Sequence, residues 1–534
     1  MTQNVVSGAQ DFLFGNFQFD ATASGEDIRF TSLAIDLIYG GTSSYLTGCQ
    51  VYDGDTALNT GSNTKDVSSS HTSGDPMTFT LDSGGFTVAK GTVKTVALKC
   101  DISSSAGTSD SYKWYMEDAQ EGTGLNSGTT ITIAAANVTG SGQLMSVAAE
   151  GTLLVVKDNS SPSYAMAAAG SADVVLGKLK LSATNEDITL TKLALELTNA
   201  SSTNTDFVGQ KVTIWDGTTE VGYASFGSDN YATSTLSGTV TIPKDGDKTL
   251  TIKGDLSKIK TTYEIGTQGA LLKVNYDGTD STGTQGVGVQ SGQTIDQGSA
   301  LDTEVAGVRV FRAYPVFTKL DLPSNTLTTA SETSLYRFSV TAVDSDGYSD
   351  GIGIHRFVLS VATSSGDATS GTTTLSDVKV YAYSDAAFSD TVDTDAAGGE
   401  YTNGQVVDTV SDPNGSSVSG ASSPADNNLD LSEPLRIPAG QTYYFDVRGT
   451  GTITTGSGTT ANNWVKTYVQ GDSAYPSLYT LMGSTTPVDA GTDNDFIWSP
   501  FASSTIGVNA IDWTNGYKVE GLPSNGMSSE TISQ

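Results

Sequence analysis

The stretches ATASGEDIRFTSLAIDL (21–37) and ATNEDITLTKLALEL (183–197) state nearly the same phrase twice in one chain. In both, apolar residues fall on every second position: Leu33, Ile35 and Leu37 in the first, Leu193, Leu195 and Leu197 in the second. Such alternation turns one face of a strand to a core and the other to water. The residues just before repeat the pattern, with Phe17, Phe19 and Ala21 matching Leu179, Leu181 and Ala183. A third copy is written in Phe338, Val340 and Ala342, followed by Phe357, Leu359 and Val361. Two strands so close in sequence form a hairpin or a corner, because a parallel crossover needs a dozen or more connecting residues. Neither opening phrase holds a nucleophile beside a base or a set of soft metal ligands, so each reads as a building block.

The agreement continues along each copy. QVYDG (50–54), TIWDG (213–217) and KVYAYSD (379–385) match as strands with an aromatic near the end. After them, TVAKGTVKTVALKCDIS (87–103), TIPKDGDKTLTIKGDLS (241–257) and RIPAGQTYYFDVRG (436–449) each read as strand, tight turn, strand. The turns carry Lys90-Gly91, Asp245-Gly246 and Ala439-Gly440, where glycine accepts the positive φ of a hairpin turn. A last strand follows in YKWYME (112–117), ALLKVNY (270–276) and NWVKTYV (463–469). No stretch shows an amphipathic helical period. The expected fold is therefore all-β, with tandem immunoglobulin-like Greek-key sandwiches over 1–145, 146–304 and 305–490 and a C-terminal extension over 491–534.

Charge narrows the partners. Against 27 Lys and Arg stand 59 Asp and Glu, a net charge of −32 over 534 residues. That balance argues against nucleic acid, whose phosphates need basic side chains to displace counterions, and against anionic membranes. It suits divalent cations or basic partners. No apolar run approaches the ~18 residues of a membrane span. MTQNVVSGAQ at the start has neither the basic nor the apolar region of a signal peptide, so the chain is either cytosolic or a leader has been removed.

Units two and three have a lead-in strand before the shared hairpin, GTLLVVKD (151–158) and AGVRVFRAYPVF (306–317). Aligning Gly15 with Gly177 sets Met1 opposite Ser163, so the lead-in of unit one would lie upstream of residue 1. A sandwich short of one strand exposes backbone groups that an added strand satisfies. The expectation is that a neighbouring subunit or an upstream segment fills the gap. The C-terminal FIWSPFASSTIGVNAIDWTNGYKVEGLP (496–523), with Val508, Ala510, Ile511 and Trp513, is either a donor strand or a cap on its own unit.

Cys49 and Cys100 sit on the apolar phase of their strands and align with Val212 and Gly254, so both face the core. They form an inter-sheet disulfide in an oxidising compartment or remain two buried thiols. Ca²⁺ is the best small ligand: Asp344, Asp346 and Asp350 place three carboxylates around a Gly turn, and Glu26-Asp27 and Glu186-Asp187 recur at equivalent corners. Asp and Gly are also ordinary turn formers. His71 and His355 are the only histidines and lie in different units, which argues against zinc or Ser-His-Asp chemistry, and no catalytic residue is assigned. Trp114, Tyr115, Trp215 and Trp464 would stack on a cell-surface glycan if exposed, or pack inside if their strand phase rules.

The text VRVFRAYPVFTKLDLPSNTLTTASETSLYRFSVTAVDSDGYSDGIGIHRFVLSV (308–361) resembles repeats of large cell-surface proteins from ultrasmall bacteria of the candidate phyla. Those pair a V-x-V-x-x-A-x-P lead-in, here Val308 to Pro315, with LYRFSVTA, here Leu335 to Ala342, and close on WTNGYKVEGLP, here Trp513 to Pro523. The resemblance implies an exported β-sandwich component of a surface layer or filament and brings no catalytic residue. The expected function is that of a non-enzymatic extracellular structural protein at the cell surface, associating with copies of itself by strand complementation and calcium-supported contacts. An array of adhesin or glycan-binding modules is the alternative, and a phage or virus structural protein a further one.

Overall fold

In the computed structural model all residues are described except 1–2, 139, 199–201, 260–265, 299–300, 346–349, 365–371, 394–400, 411–424, 455–462, 477–481, 484–485, 488–494 and 501–512. The described residues form β-strands and short 3₁₀ turns, with no α-helix among them. The chain is all-β, and its apolar side chains gather in three cores, one from Val5 to Val147, one from Leu153 to Val310 and one from Phe311 to Ile532.

One sheet recurs in every unit. In the second, the lead-in strand Thr152–Lys157 pairs antiparallel with Val174–Thr184, which pairs with Asp247–Gly254 and then Lys211–Asp216. In the third the same order runs Tyr314–Leu320, Glu332–Val343, Thr442–Thr454, Thr372–Tyr383. In the first it runs Phe12–Asp20, Val93–Ile102, Leu46–Asp53, with Phe12–Asp20 at the edge. The hairpin strand carries a register shift at one matching place in all three, between Leu13 and Gly15, Val175 and Gly177, and Ser334 and Tyr336. A bulge inserts one residue and turns it off the pleat. Here that residue is Phe14, Leu176 or Leu335, each buried in its core.

The facing sheet of the first unit sets Ser32–Gly40 between Ser111–Tyr115 and Pro76–Thr80, and Phe14 meets Tyr112 across the core at 6.5 Å. Its far edge is closed by Gln3–Val6 running parallel to Leu144–Ala148, a pairing the alternation did not announce. Ala165–Ala168 repeats it, parallel to Val308–Phe311, and Thr326 bridges Ser533 in the same sense. In each case a segment near the start of the unit lies against the unit's last strand.

Five phenylalanine rings pack on one another in the third core. Phe338 stacks on its cross-strand partner Phe445 at 5.1 Å and meets Phe357 of the opposite sheet edge-on at 5.2 Å. Phe496, from the C-terminal region, reaches Phe317 at 5.2 Å and Phe357 at 5.8 Å. The C-terminal region is therefore a cap on its own unit: Ile497–Ser499 pairs with Ile352–Ser364, Glu530–Ser533 pairs with Trp464–Val469, and Trp513 is fully buried. These residues are committed to their own core, which removes them as a donor strand. Val508, Ala510 and Ile511 lie outside the described residues. The second and third cores meet inside one strand, where Val308 and Val310 face the second and Phe311 faces the third.

Cys49 and Cys100 are joined, and the bridge is not inter-sheet. It links Leu46–Asp53 to its antiparallel neighbour Val93–Ile102, at a bulge where Gly48 and Cys49 together oppose Cys100. Gly48 takes a φ of +59°, the left-handed conformation such a bulge requires of its first residue. Alternation showed that both thiols face inward, but only the strand order places them side by side.

Two buried acids are held differently. Asp446, fully buried, receives hydrogen bonds from Arg337 at 2.8 Å, Arg448 at 3.0 Å and Ser334 at 3.0 Å. Asp472 accepts the Gly516 amide and lies against the Asp495 carboxyl. Burial, reinforced by Asp495, pushes the Asp472 carboxyl up to about 9. A carboxyl that keeps its proton on folding contributes stability that is complete below the unfolded carboxylate pKa and declines as pH rises toward the folded one. The stability of the third unit to thermal unfolding should therefore fall from pH 5 to pH 8, and Asp472→Asn should flatten that slope by on the order of 1 kcal/mol per pH unit, read by calorimetry across the range. Phe338→Ala should cost about 3–5 kcal/mol in denaturant titration, since it opens a cavity among four other rings.

Candidate assembly surfaces

The edge strand Phe12–Asp20 has no partner on its outer side among the described residues. The matching side of Val174–Thr184 is covered by Thr152–Lys157, whose Leu153 and Val155 are fully buried, and that of Glu332–Val343 by Tyr314–Leu320, whose Phe317 enters the core. The consequence shows at equivalent side chains: Leu179 and Phe338 are buried, while Phe17 is half-buried. Phe17 and Phe19 stand where the second unit has leucines, and Phe19 packs on Phe30 at 4.8 Å and Phe86 at 5.1 Å. The sequence FLFGNFQFD carries no Lys or Pro, the residues that most often block edge pairing.

The corner acids proved to be paired with backbone amides. Glu26 accepts the amides of Asn126 and Ser127, each at 2.7 Å, and Asp27 accepts that of Lys90 at 2.7 Å. Glu186 accepts those of Gln290 at 3.0 Å, Ser291 at 2.9 Å and Gly151 at 3.2 Å, with the Ser291 hydroxyl at 2.9 Å, and Asp187 accepts that of Lys244 at 2.6 Å. The two corners are the same device: a glutamate closes a glycine turn, and the next aspartate ties down the hairpin turn of the neighbouring strands. The Ser127 hydroxyl, joined by the backbone amides, holds the Glu26 carboxyl below its ordinary range. Charge-assisted bonds of this kind are stronger than neutral ones.

The turns closed by these glutamates are written GTGLNSG (122–128) and GVGVQSG (286–292), a repeat that was open to reading in the sequence. Their backbones agree bond for bond: Gly128 donates to Gly124 and Leu125 to Asp27, as Gly292 donates to Gly288 and Val289 to Asp187. The glutamate and its amides are about 100 residues apart in the chain, so the pairing itself could not be read.

As calcium ligands these four carboxylates are not brought together, either with each other or with the third cluster. Asp344 is half-buried, Asp350 is exposed, and Asp346 lies outside the described residues. Among the described residues no group of three or more Asp, Glu, His or Cys is placed to hold a metal ion. Of the aromatics, Trp114 is fully buried in the first core, while Trp215 is half-buried beneath the Lys253 ammonium, 3.8 Å from its ring. Tyr115 and Trp464 are half-buried on their strands.

The second of these turns also lies where two units meet. Between the first and second, the Gln10 amide donates to the Gln290 carbonyl at 3.1 Å, and Gly8 lies so close that a Cβ there would be 3.2 Å from Gln293. Between the second and third, the Ser345 hydroxyl donates to the Ala169 carbonyl at 2.7 Å. There Arg309 is clamped: its Nε donates to the Tyr164 hydroxyl at 2.8 Å, it donates to the Gly269 carbonyl at 2.6 Å, and its guanidinium lies 3.5 Å from the Tyr475 ring. Alternation offered no signal for this clamp, because Arg309 sits in an otherwise apolar strand.

No protein-family model matches the chain, and no curated protein matches its sequence. Among solved structures it is similar to a putative membrane-anchored protein of Corynebacterium diphtheriae, at 11% identity over 88% of this chain and 85% of that one, with a TM-score of 0.16. It is similar to BcpA, the major pilin subunit of Bacillus cereus, at 9% identity over 82% and 88%, TM-score 0.19. The full-length major pilin SpaD of C. diphtheriae matches at 11% identity over 88% of each chain, TM-score 0.17.

The corner device makes a graded prediction. Glu186→Ala strands buried amides and should destabilise the second unit by about 3 kcal/mol, whereas the more open Glu26→Ala should cost the first unit less, since water replaces the carboxylate. Hydrogen exchange at the Gln290 and Ser291 amides should accelerate in the first variant, and unchanged exchange there would remove the capping role.

Proposed function

We propose that the chain is a non-enzymatic extracellular structural protein that assembles with copies of itself into a surface layer or filament. The observation that carries this reading is the uncovered side of Phe12–Asp20, an edge that the other two units cover with a lead-in strand. A strand supplied by a neighbouring copy would complete the sheet and bury Phe17. A bridged cysteine pair supports an oxidising, external setting, and the net charge of −32 keeps free copies soluble until a specific contact forms. The resemblance of residues 308–361 to surface proteins of ultrasmall bacteria supports the same role.

The histidines support a non-catalytic reading. His355 is half-buried beside Trp513 at 6.1 Å, with desolvation holding its pKa down, and His71 lies in another unit beside Tyr39 at 6.4 Å. Calcium support would rest on the segment bearing Asp344, Asp346 and Asp350, since the other candidate acids are engaged by amides.

The test is negative-stain microscopy of the chain at one protein concentration, with calcium and then with chelator, alongside Phe17→Lys. Ordered sheets or filaments are expected, with loss of assembly in Phe17→Lys and an unchanged melting transition of its second and third units. Assemblies that survive chelation would remove calcium alone. Dispersed particles in every condition would overturn self-assembly and favour the adhesin reading.

A further inference from the structure

The two junctions inside the chain follow one plan. In the first unit, the loop after Gln3–Val6 passes through Gly8 and Gln10 to touch the Glu186-closed turn of the second unit, where Glu186 is fully buried and Ser291 is 1% exposed. In the second unit, the loop after Ala165–Ala168 reaches Ser345, in the corresponding corner of the third. The tip is the loop after a unit's parallel strand, and the corner is the loop after a unit's first hairpin strand, with the glutamate-closed turn beside it in the first two units. Among the described residues two tips meet two corners, and one tip and one corner meet no other unit.

The unused corner belongs to the first unit. Its turn has the same backbone bonds as the occupied one, yet Leu125, Asn126, Ser127 and Gly128 are exposed and Glu26 is only half-buried. The unused tip belongs to the third unit. Asn325 and Leu327 bond to Ser533 on either side of Thr326, in the parallel sense of Gln3–Val6 on Leu144–Ala148, and Thr328, Thr329, Ala330 and Ser331 beyond them are exposed. Counted from the bulges at Phe14 and Leu335, Thr329 stands where the first unit has Gly8. The residue facing that position changes in the compensating direction: Gln293 on the occupied turn is matched by the smaller Thr129 on the free one.

We propose that a second copy of the chain docks head to tail, with the Thr328–Ser331 tip of one copy seated on the Glu26-closed turn of the next. The junction would repeat the internal ones and continue their direction. Its placement beside the uncovered edge of Phe12–Asp20 lets one incoming copy meet both surfaces. The identity of the partner rests on the self-assembly reading above, but the contact is distinct from strand addition.

Because Cys49 and Cys100 are bridged and are the only cysteines, introduced thiols are the sole free ones. Thr329→Cys and Asn126→Cys, both at exposed positions, are prepared separately, checked for unaltered melting, and mixed under mild oxidation. The expected product is a mixed dimer in excess over either homodimer, lost when Leu125→Arg is added to the Asn126→Cys chain. Equal homodimers, or no cross-link while microscopy still shows assemblies, would overturn head-to-tail docking and leave self-assembly standing. Absence of both cross-link and assemblies would remove the two together.

Discussion

The outer edge of the first hairpin strand is the constraint on which the molecule is organised. A strand in that position carries backbone N–H and C=O groups that must be paired, covered or left in water. The second and third units pair them with a lead-in strand separated from the previous unit's last strand by only three and two residues. One continuous piece of chain therefore closes the sheet of one unit and the edge of the next. Short links of this kind leave little freedom, and Arg309 removes more by tying Tyr164 and the second unit's Gly269 carbonyl to Tyr475 of the third.

The acids serve this architecture from within. Glu26 and Glu186 close turns and Asp27 and Asp187 anchor hairpins, so four carboxylates are matched to amide donors. Asp446 is neutralised between two arginines, and Asp472 stays protonated against Asp495. Each acid is accommodated differently: by amides at a turn, by guanidinium groups on one oxygen of Asp446, and by a retained proton at Asp472. Much of the remaining negative charge lies at the surface, where it deters unspecific association and places the burden of contact on shape and on backbone pairing.

The first unit differs from the other two beside its edge strand. The disulfide braces the two strands nearest that edge strand, and the corner turn is open. A cross-link between neighbouring strands limits the loss of structure that an unpaired edge invites. A unit so braced can stay folded while its edge is free.

The sequence by itself determined the all-β class, the strand faces and the threefold repetition, because side-chain alternation is a local property with a period of two. Tertiary structure decided everything that depends on which strands become neighbours. Cys49 and Cys100 were known to face inward, yet only the strand order set them in one sheet. Glu26 and Glu186 were read as metal ligands because their partners are backbone amides far along the chain, and amides leave no mark in a sequence. The parallel strands Gln3–Val6 and Ala165–Ala168 were missed because four residues are too few to show a period, and Arg309 because its partners come from two units. Local periodicity can be read from one stretch, whereas hydrogen-bond partners are chosen by the fold as a whole.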